Sequence, residues 1–149
     1  MVLLQKVSNE FQTYCLIINK KKRSRLVIGK LGIFDFPPGF YIYTGSAKKN
    51  RMSSRIKRHL SRDKTLHWHI DYLLEESVIK DVFLSREEEC DINRDIFLLP
   101  NAIIISNKFG SSDCSCESHL AYFKDQKSIP NNLEKMEVLL WLNFLLFPQ

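Results

Sequence analysis

Residues 39–62 carry the side chains with the clearest chemical potential. The segment reads GFYIYTGSAKKNRMSSRIKRHLSR, an aromatic strand, a Gly-Ser turn and then a predicted helix with Arg55 and His59 four positions apart. At about 100° per residue, four arginines fall within roughly 60° of one another on this helix: Arg51, Arg55, Arg58 and Arg62. Such a face presents cations at a fixed spacing, which suits a phosphate backbone. A basic helix face that is simply exposed to water is the alternative interpretation.

Strand and helix patterns around this segment predict the elements that must position it. Predicted strands are Phe11–Asn19, Arg25–Leu31, Phe40–Thr44, Val78–Leu84 and the short Ala102–Ser106. Predicted helices are Asn50–Arg62, Arg86–Leu99, Leu133–Phe147, a short one from His119 to Phe123, and residues 66–76, where a strand is the alternative. The second strand is expected to pair back on the first, with loops at Gly32–Gly39 and Phe109–Ser118. We divide the chain into a domain at 1–130 and an apolar C-terminal helix at 131–149, for packing or self-association.

Composition limits the class of protein. The chain has 149 residues, of which 44% are hydrophobic and 26% charged, which indicates a globular domain and not a disordered chain. The net charge of +5 favours an anionic partner without choosing among nucleic acid, membrane surface and other polyanions. The apolar start is too short for a secretory signal, and no run approaches a membrane span. We therefore expect a cytoplasmic protein.

A set of residues spread over the first ninety positions could hydrolyse a phosphodiester. That reaction needs a base near the attacking water, cations for the charged phosphate and usually a divalent metal held by a carboxylate. Tyr14 and Tyr43 lie on two predicted strands, Arg55 and His59 on the next helix, and a pair of glutamates, Glu88 and Glu89, near the start of a later helix. Each tyrosine alone would be interpreted as packing; the order of the set favours chemistry.

The order of these motifs resembles the GIY-YIG nuclease superfamily, in particular its Uri-type branch of small domains. The resembling segments are YIYTGSA at 41–47, RIKRH at 55–59, HWHIDYLL at 67–74, EEC at 88–90 and FGSSDCSCESHL at 109–120. The resemblance implies an α/β fold, with a small, mainly antiparallel sheet flanked by helices. It also implies a metal-dependent endonuclease that acts on DNA, possibly structured or damaged DNA, with RNA as a further possibility.

Site residues follow from the resemblance by position. Tyr14 and Tyr43 match the two motif tyrosines, Gly45 the second motif's glycine, and Arg55 and His59 the helix arginine and its companion. Glu89 is the expected ligand of one Mg²⁺ or Mn²⁺, with Glu88 as its rival; flanking backbone contacts would come from Arg51, Arg58 and Arg62. The sequence departs from the pattern in the first motif, which lacks its glycine, and in Thr44, which replaces an aliphatic residue.

Two further groups of polar residues lie outside this set. Cys90, Cys114, Cys116 and His119 could chelate a soft metal, but the spacing is not a standard zinc-finger pattern, so we expect packing around a loop of the site, with Cys90 facing inward, and no bound zinc. His67, His69 and Asp71 form the second group: His67 and Asp71 could share a proton, and a His/Asp pair could orient a ligand or the scissile phosphate. The alternative is that these residues cap and pack a helix. Cys15 is expected in the core.

A binding module without turnover is the rival to an enzyme. The same basic helix would serve a nucleic-acid-binding partner of a DNA repair enzyme. Glu89 and Tyr14 distinguish the two hypotheses, because a protein that only binds has no need of a metal-binding carboxylate or a base.

Overall fold

The computed structural model describes residues 10–48 and 50–138 and shows an α/β fold built on an antiparallel sheet. The strands are β1 (Thr13–Lys20), β2 (Ser24–Ile28), β3 (Gly32–Phe36), β4 (Gly39–Ser46), β5 (Val78–Ser85), β6 (Ile103–Ile104), β7 (Leu120–Phe123) and β8 (Glu137–Val138). The helices are α1 (Met52–Leu60), α2 (His69–Leu74) and α3 (Glu89–Phe97). Six strands form the main sheet in the order β6-β7-β4-β1-β5-β8, and β2 and β3 form a separate pair. The predicted fold class is confirmed.

Strand β1 lies in the middle of the main sheet and is covered on both faces. It pairs with β4 on one side and with β5 on the other. Its alternate side chains enter two cores: Tyr14, Leu16 and Ile18 pack with α1 and α2, while Cys15 and Ile17 pack with α3. A strand buried on both faces carries apolar residues at successive positions, which explains the continuous run CLII in this segment.

The β2–β3 hairpin corrects two expectations. Residues 32–36 form strand β3 and not a loop, and β2 pairs with β3, not with β1. Both edges of β1 are already occupied by β4 and β5, so a third strand has no backbone groups of β1 left to bind. Ile28 and Phe36 are the buried residues that fix the hairpin to the domain.

Two predicted helices are also wrong over the residues that the structure describes. Leu120–Phe123 is strand β7, paired with Phe40–Tyr43 of β4, so its side chains alternate between the two cores. Residues 133–138 form a turn followed by β8, which pairs with Phe83 and Leu84 at the sheet edge. The rest of the predicted helix, residues 139–149, lies outside the described residues. Its proposed packing or self-association, and the division of the chain at residue 131, stay predictions.

A buried carboxylate joins α1 to the start of α2. Asp71 is fully buried and accepts two hydrogen bonds from the Arg58 guanidinium, both 2.8 Å long. It also accepts the backbone N–H groups of His67 and Trp68, at 2.9 and 2.8 Å. Asp71 therefore has the capping role, and the hydrogen bond from His67 comes from its backbone. Burial opposes ionisation of Asp71, but these hydrogen bonds outweigh it and lower the pKa of the carboxyl.

Among the described residues, no helix is long and apolar enough to cross a membrane.

The Asp71→Asn substitution should lower the free energy of unfolding by about 3 kcal/mol, because it leaves the Arg58 guanidinium and a helix N-terminus with a weaker acceptor. Urea denaturation of the two proteins measures the difference. The matched control is Glu75→Gln, which changes an exposed acid at the other end of the same helix and should shift stability by no more than about 0.5 kcal/mol. Equal losses in the two variants would contradict the role given to Asp71.

Candidate active site

The two predicted tyrosines lie side by side on adjacent strands. In the β1–β4 register Tyr14 is opposite Gly45, and Leu16 is opposite Tyr43. Tyr14 and Tyr43 are therefore diagonal neighbours on one face of the sheet, and their ring centroids are 6.3 Å apart. Twenty-nine positions of sequence separate them, and the hairpin β2–β3 lies within that interval.

Gly45 is required by the ring of Tyr14. A Cβ atom at position 45 would lie 2.5 Å from both Cζ and Oη of Tyr14, closer than any two such atoms can approach. Because Gly45 has no side chain, the phenol ring of Tyr14 can lie across strand β4 at this position. This gives the glycine of the second motif a physical reason.

His59 binds the hydroxyl of Tyr14. The distance from Tyr14 Oη to His59 Nε2 is 2.7 Å, and both side chains are buried. Burial, followed by the positive charge of Lys64, lowers the pKa of His59 to about 3, so the imidazole is neutral at physiological pH. A neutral imidazole with its proton on Nδ1 accepts a hydrogen bond at Nε2 from the phenolic O–H of Tyr14.

Both tyrosines are protonated in the ligand-free protein. Burial raises the pKa of Tyr14 well above its ordinary value, and the nearby Tyr43 adds to the shift. Burial likewise raises the pKa of Tyr43, followed by the negative charge of Glu89. Arg55 acts in the opposite direction on both. A bound cation near the two hydroxyls would favour their ionised forms in the same way.

Arg55 is held at the mouth of the cleft by two contacts. Its guanidinium donates to the backbone carbonyl of Ser46 at 2.6 Å, and its Cζ lies 4.7 Å from the centroid of the Trp68 ring. The Arg58 guanidinium contacts the same ring at 4.3 Å. Because a guanidinium has five N–H donors, Arg55 retains donors for an anion while one is used by Ser46.

Glu89 approaches the tyrosines from α3, where it is the first helical residue. Its Oε1 lies 2.9 Å from Nδ1 of His119. Burial alone would raise the pKa of Glu89, but the contacts with His119 and Ser46 outweigh it and hold that pKa below its usual value. The carboxylate is therefore ionised and available to a cation. Its rival Glu88 is the N-cap residue and is exposed.

These side chains line one polar cleft of about 240 Å³. Its lining residues are Tyr14, Tyr43, Ser46, Arg55, His67, Trp68, His69, Glu89, Gly110, Ser112 and Asp113. The predicted accessory residues His67 and His69 are thus part of the wall, and Nδ1 of His69 accepts the backbone N–H of Gly110 at 2.8 Å. The cleft joins residues from β1, β4, α1, α2, α3 and the 109–118 loop.

The sequence reasoning did not select several residues of this cleft. Trp68 supports two arginines, Ser46 holds one of them by its carbonyl, and Asp113 adds a second acidic side chain. Trp68 had no distinct signal, since an aromatic residue between His67 and His69 is explained equally well by packing. The backbone carbonyl of Ser46 had none, because any residue carries that group.

The remaining arginines of the basic face have different surroundings. Arg51 is exposed and precedes α1 as its N-cap. Arg62 follows the end of α1 and donates to the carbonyls of Leu74 and Ser77, at 2.7 and 3.0 Å. Arg58 binds Asp71. Two of the predicted backbone-binding arginines therefore also hold α1 against α2, and their contacts with nucleic acid stay a prediction.

The cysteines beside the cleft converge with His119. One ligand atom from each of Cys90, Cys114, Cys116 and His119 can be chosen so that all four lie within 4.8 Å of one another, so the cluster could hold a metal ion. Cys90 is exposed, which corrects the expectation that it faces inward. Cys15 is buried, as predicted, and its thiol lies 3.4 Å from the Thr44 hydroxyl.

The Gly45→Ala substitution should lower the free energy of unfolding by about 2 kcal/mol, since the new methyl group overlaps the Tyr14 ring. In a Tyr14→Ala background the same substitution should cost less than about 0.5 kcal/mol, because the overlapping atoms are absent. Denaturant unfolding of the wild type, the two single variants and the double variant gives the coupling energy of a double-mutant cycle. An equal cost in both backgrounds would show that the ring does not set the need for glycine.

The neutral His59 should also make the protein lose stability in mild acid. Its pKa is lower in the folded than in the unfolded state, so its contribution is present above about pH 6.5 and is lost as the pH falls towards 3. Between pH 7 and pH 5 the wild type should lose about 2 kcal/mol more than His59→Gln. Urea denaturation at the two pH values measures this difference, and parallel losses would contradict a buried neutral histidine.

Comparison with known proteins gives one family. Residues 13–141 match the model of a domain of unknown function, DUF123. No curated protein and no solved structure matches the chain significantly. Because the matched region extends over most of the sequence, from β1 past β8, the chain belongs to the DUF123 family.

Proposed function

We propose that this protein is a metal-dependent endonuclease of the GIY-YIG type that hydrolyses phosphodiester bonds in DNA. One observation carries the proposal. Tyr14, Tyr43, Arg55 and Glu89 come from four separate elements and line one polar cleft, with His59 bound to Tyr14 behind it. Packing could explain each of these residues separately. It does not explain why a possible base, Tyr14, a cation, Arg55, and a carboxylate, Glu89, lie in the same cleft.

Tyr14 and His59 are suited to activate water together. In the proposed step, Tyr14 Oη accepts a proton from the attacking water while its own proton moves to His59 Nε2 along the 2.7 Å hydrogen bond. The water oxygen bonds to phosphorus, and the bond from phosphorus to the leaving oxygen breaks. A negative phosphate in the cleft would raise the proton affinity of His59, in the direction opposite to the burial that lowers its pKa in the free protein.

Arg55 is suited to the charge that develops on the phosphate. Its guanidinium is held by Ser46 and Trp68, so it does not have to be reoriented when the transition state forms. Tyr43 adds a protonated hydroxyl in the wall of the same cleft. The two residues together supply preorganised donors for non-bridging oxygens.

Glu89 fits a hydrated divalent metal. Mg²⁺ prefers carboxylate oxygen and keeps several waters, so one ionised carboxylate in an open polar cleft meets its needs. Oε1 of Glu89 contacts His119, and the Ser46 hydroxyl contacts the same carboxylate, so a cation would share this carboxylate with them. Bound Mg²⁺ or Mn²⁺ would supply charge stabilisation at the leaving oxygen. Asp113, in the wall of the same cleft, adds negative charge that favours a cation there.

The DNA backbone has a basic approach to the cleft. Arg51 is exposed at the start of α1, and the chain carries a net charge of +5. Arg58 and Arg62 lie further along the same segment, although their donors are partly used within the protein. We infer a cytoplasmic enzyme that acts on DNA, with structured or damaged DNA among the substrates to be tested and RNA as the alternative.

A cleavage assay over duplex, flap and branched DNA, with Mg²⁺ or Mn²⁺ against EDTA, tests the proposal. Wild-type protein should cut at least one substrate only when metal is present. Glu89→Gln should lower the rate roughly 100-fold or more, because the carboxylate that holds the metal is lost. DNA affinity in EDTA should change little.

The matched control is Glu88→Gln, which removes the same charge one residue earlier, from an exposed position, and should cleave like the wild type. Tyr14→Phe removes only the hydroxyl and should also lose most of the rate. A wild type that binds DNA but cuts no substrate with either metal would reject the enzyme and favour the nucleic-acid-binding module. Normal cleavage by Glu89→Gln would reject the metal assignment alone.

A further inference from the structure

The 109–119 loop brings two cysteines to a third on α3. Cys114 and Cys116 come from the loop, Cys90 from the second position of the helix, and His119 from the residue before β7. Tetrahedral zinc with bonds of about 2.3 Å to sulfur places its ligand atoms about 3.8 Å apart. Cys114 Sγ and His119 Nε2 are already 3.4 Å apart, and the whole set lies within 4.8 Å, so a small contraction completes the shell.

Ordinary packing does not explain these thiols. Cysteine in a core is a small buried hydrophobe, whereas Cys90 is exposed and Cys114 and Cys116 are half-exposed. Three thiols cannot all be paired in disulfides with one another. Their convergence on one imidazole is the arrangement of a Cys₃His metal site, and thiolate with imidazole selects zinc among the common divalent ions.

The loop is held in shape by contacts other than the cysteines. The Lys108 ammonium donates to the carbonyls of Cys114 and Cys116, at 3.2 and 3.1 Å. Asn93 of α3 donates to the Ser118 carbonyl at 2.9 Å. Three thiolates and one Zn²⁺ leave a single negative charge, and the Lys108 ammonium, on the backbone of two of the ligands, has the opposite charge. The cluster is therefore preorganised and electrostatically matched to the ion.

His119 connects this cluster to the cleft. Its Nε2 faces Cys114 and its Nδ1 faces Glu89 Oε1 at 2.9 Å. Zinc-bound histidines commonly donate their other ring N–H to a carboxylate, which fixes the ring and strengthens it as a ligand. The same contact restrains the carboxylate, and Glu89 precedes the ligand Cys90 on α3.

We propose that Cys90, Cys114, Cys116 and His119 bind one structural Zn²⁺, which through His119 holds the Glu89 carboxylate in the cleft. This reverses the expectation of no bound zinc, which was drawn from a spacing that is not a standard zinc-finger pattern, because the fold brings Cys90 of α3 to the loop cysteines and His119. The ion joins α3 to the 109–119 loop, two parts of the cleft wall that the sheet does not fix to each other.

Elemental analysis of the full chain, prepared with zinc in the medium, tests the site. We expect one zinc per chain in the wild type, none in Cys116→Ser, and a melting temperature lowered by a strong chelator in the wild type only. Cobalt substituted for zinc should give the visible absorption of a tetrahedral thiolate site. The control is Cys15→Ser, which changes the remaining, buried cysteine and should keep its zinc.

Glu89→Gln and Glu88→Gln test the connection to the cleft without any nuclease assay. Glu89→Gln should still bind zinc, but with an affinity about 10–100-fold lower, as measured by competition with a chromophoric chelator. Loss of a carboxylate that accepts from a ligand histidine typically lowers metal affinity by that factor. Glu88→Gln should bind zinc like the wild type. Wild-type protein without zinc or without the cobalt spectrum would overturn the site. Equal zinc affinity in the two glutamate variants would overturn the link to Glu89.

Discussion

The close approach of Tyr14 to Gly45 is the constraint on which the candidate site depends. Antiparallel pairing of β1 with β4 puts the two residues opposite each other, and a shift of one residue would turn Tyr14 to the other core. The burial of β1 on both faces fixes that register, because Tyr14, Leu16 and Ile18 belong with α1 and α2, and Cys15 and Ile17 with α3. The ring then lies over Gly45, and its hydroxyl reaches His59 on α1.

Sequence reasoning predicted the elements with strong local patterns. The alternation of Tyr41 and Tyr43 and the apolar spacing of Met52 and Ile56 gave β4 and α1 within a few residues. It failed where partners decide the structure. Residues 32–36 became β3 because β2 lacked another partner, and residues 120–123 became β7 because β4 offered a free edge. No local propensity contains that information.

The site shows the same division. Types and order of residues predicted which side chains belong to the set, since a base, a guanidinium and a carboxylate are distinct in the sequence. The spacing did not predict which neighbouring groups bind these side chains in the folded protein. Arg58 was selected for its charge, yet it binds buried Asp71 and the face of Trp68. A guanidinium on a helix can meet a phosphate or a carboxylate equally well, and only the position of α2 decides between them.

Glu89 is the residue at which the two proposals meet. A carboxylate has two oxygens, and here one faces an imidazole that belongs to a thiol cluster while the side chain lines a cleft with two protonated tyrosines. Without a partner, burial would tend to protonate the carboxyl and weaken its hold on any cation. The contact with His119 keeps it ionised, and the rigidity of His119 determines how well it stays in place. If both proposals hold, the two metals are linked through His119: zinc on the thiolates would fix the histidine, and the histidine would fix the carboxylate proposed to hold Mg²⁺ or Mn²⁺.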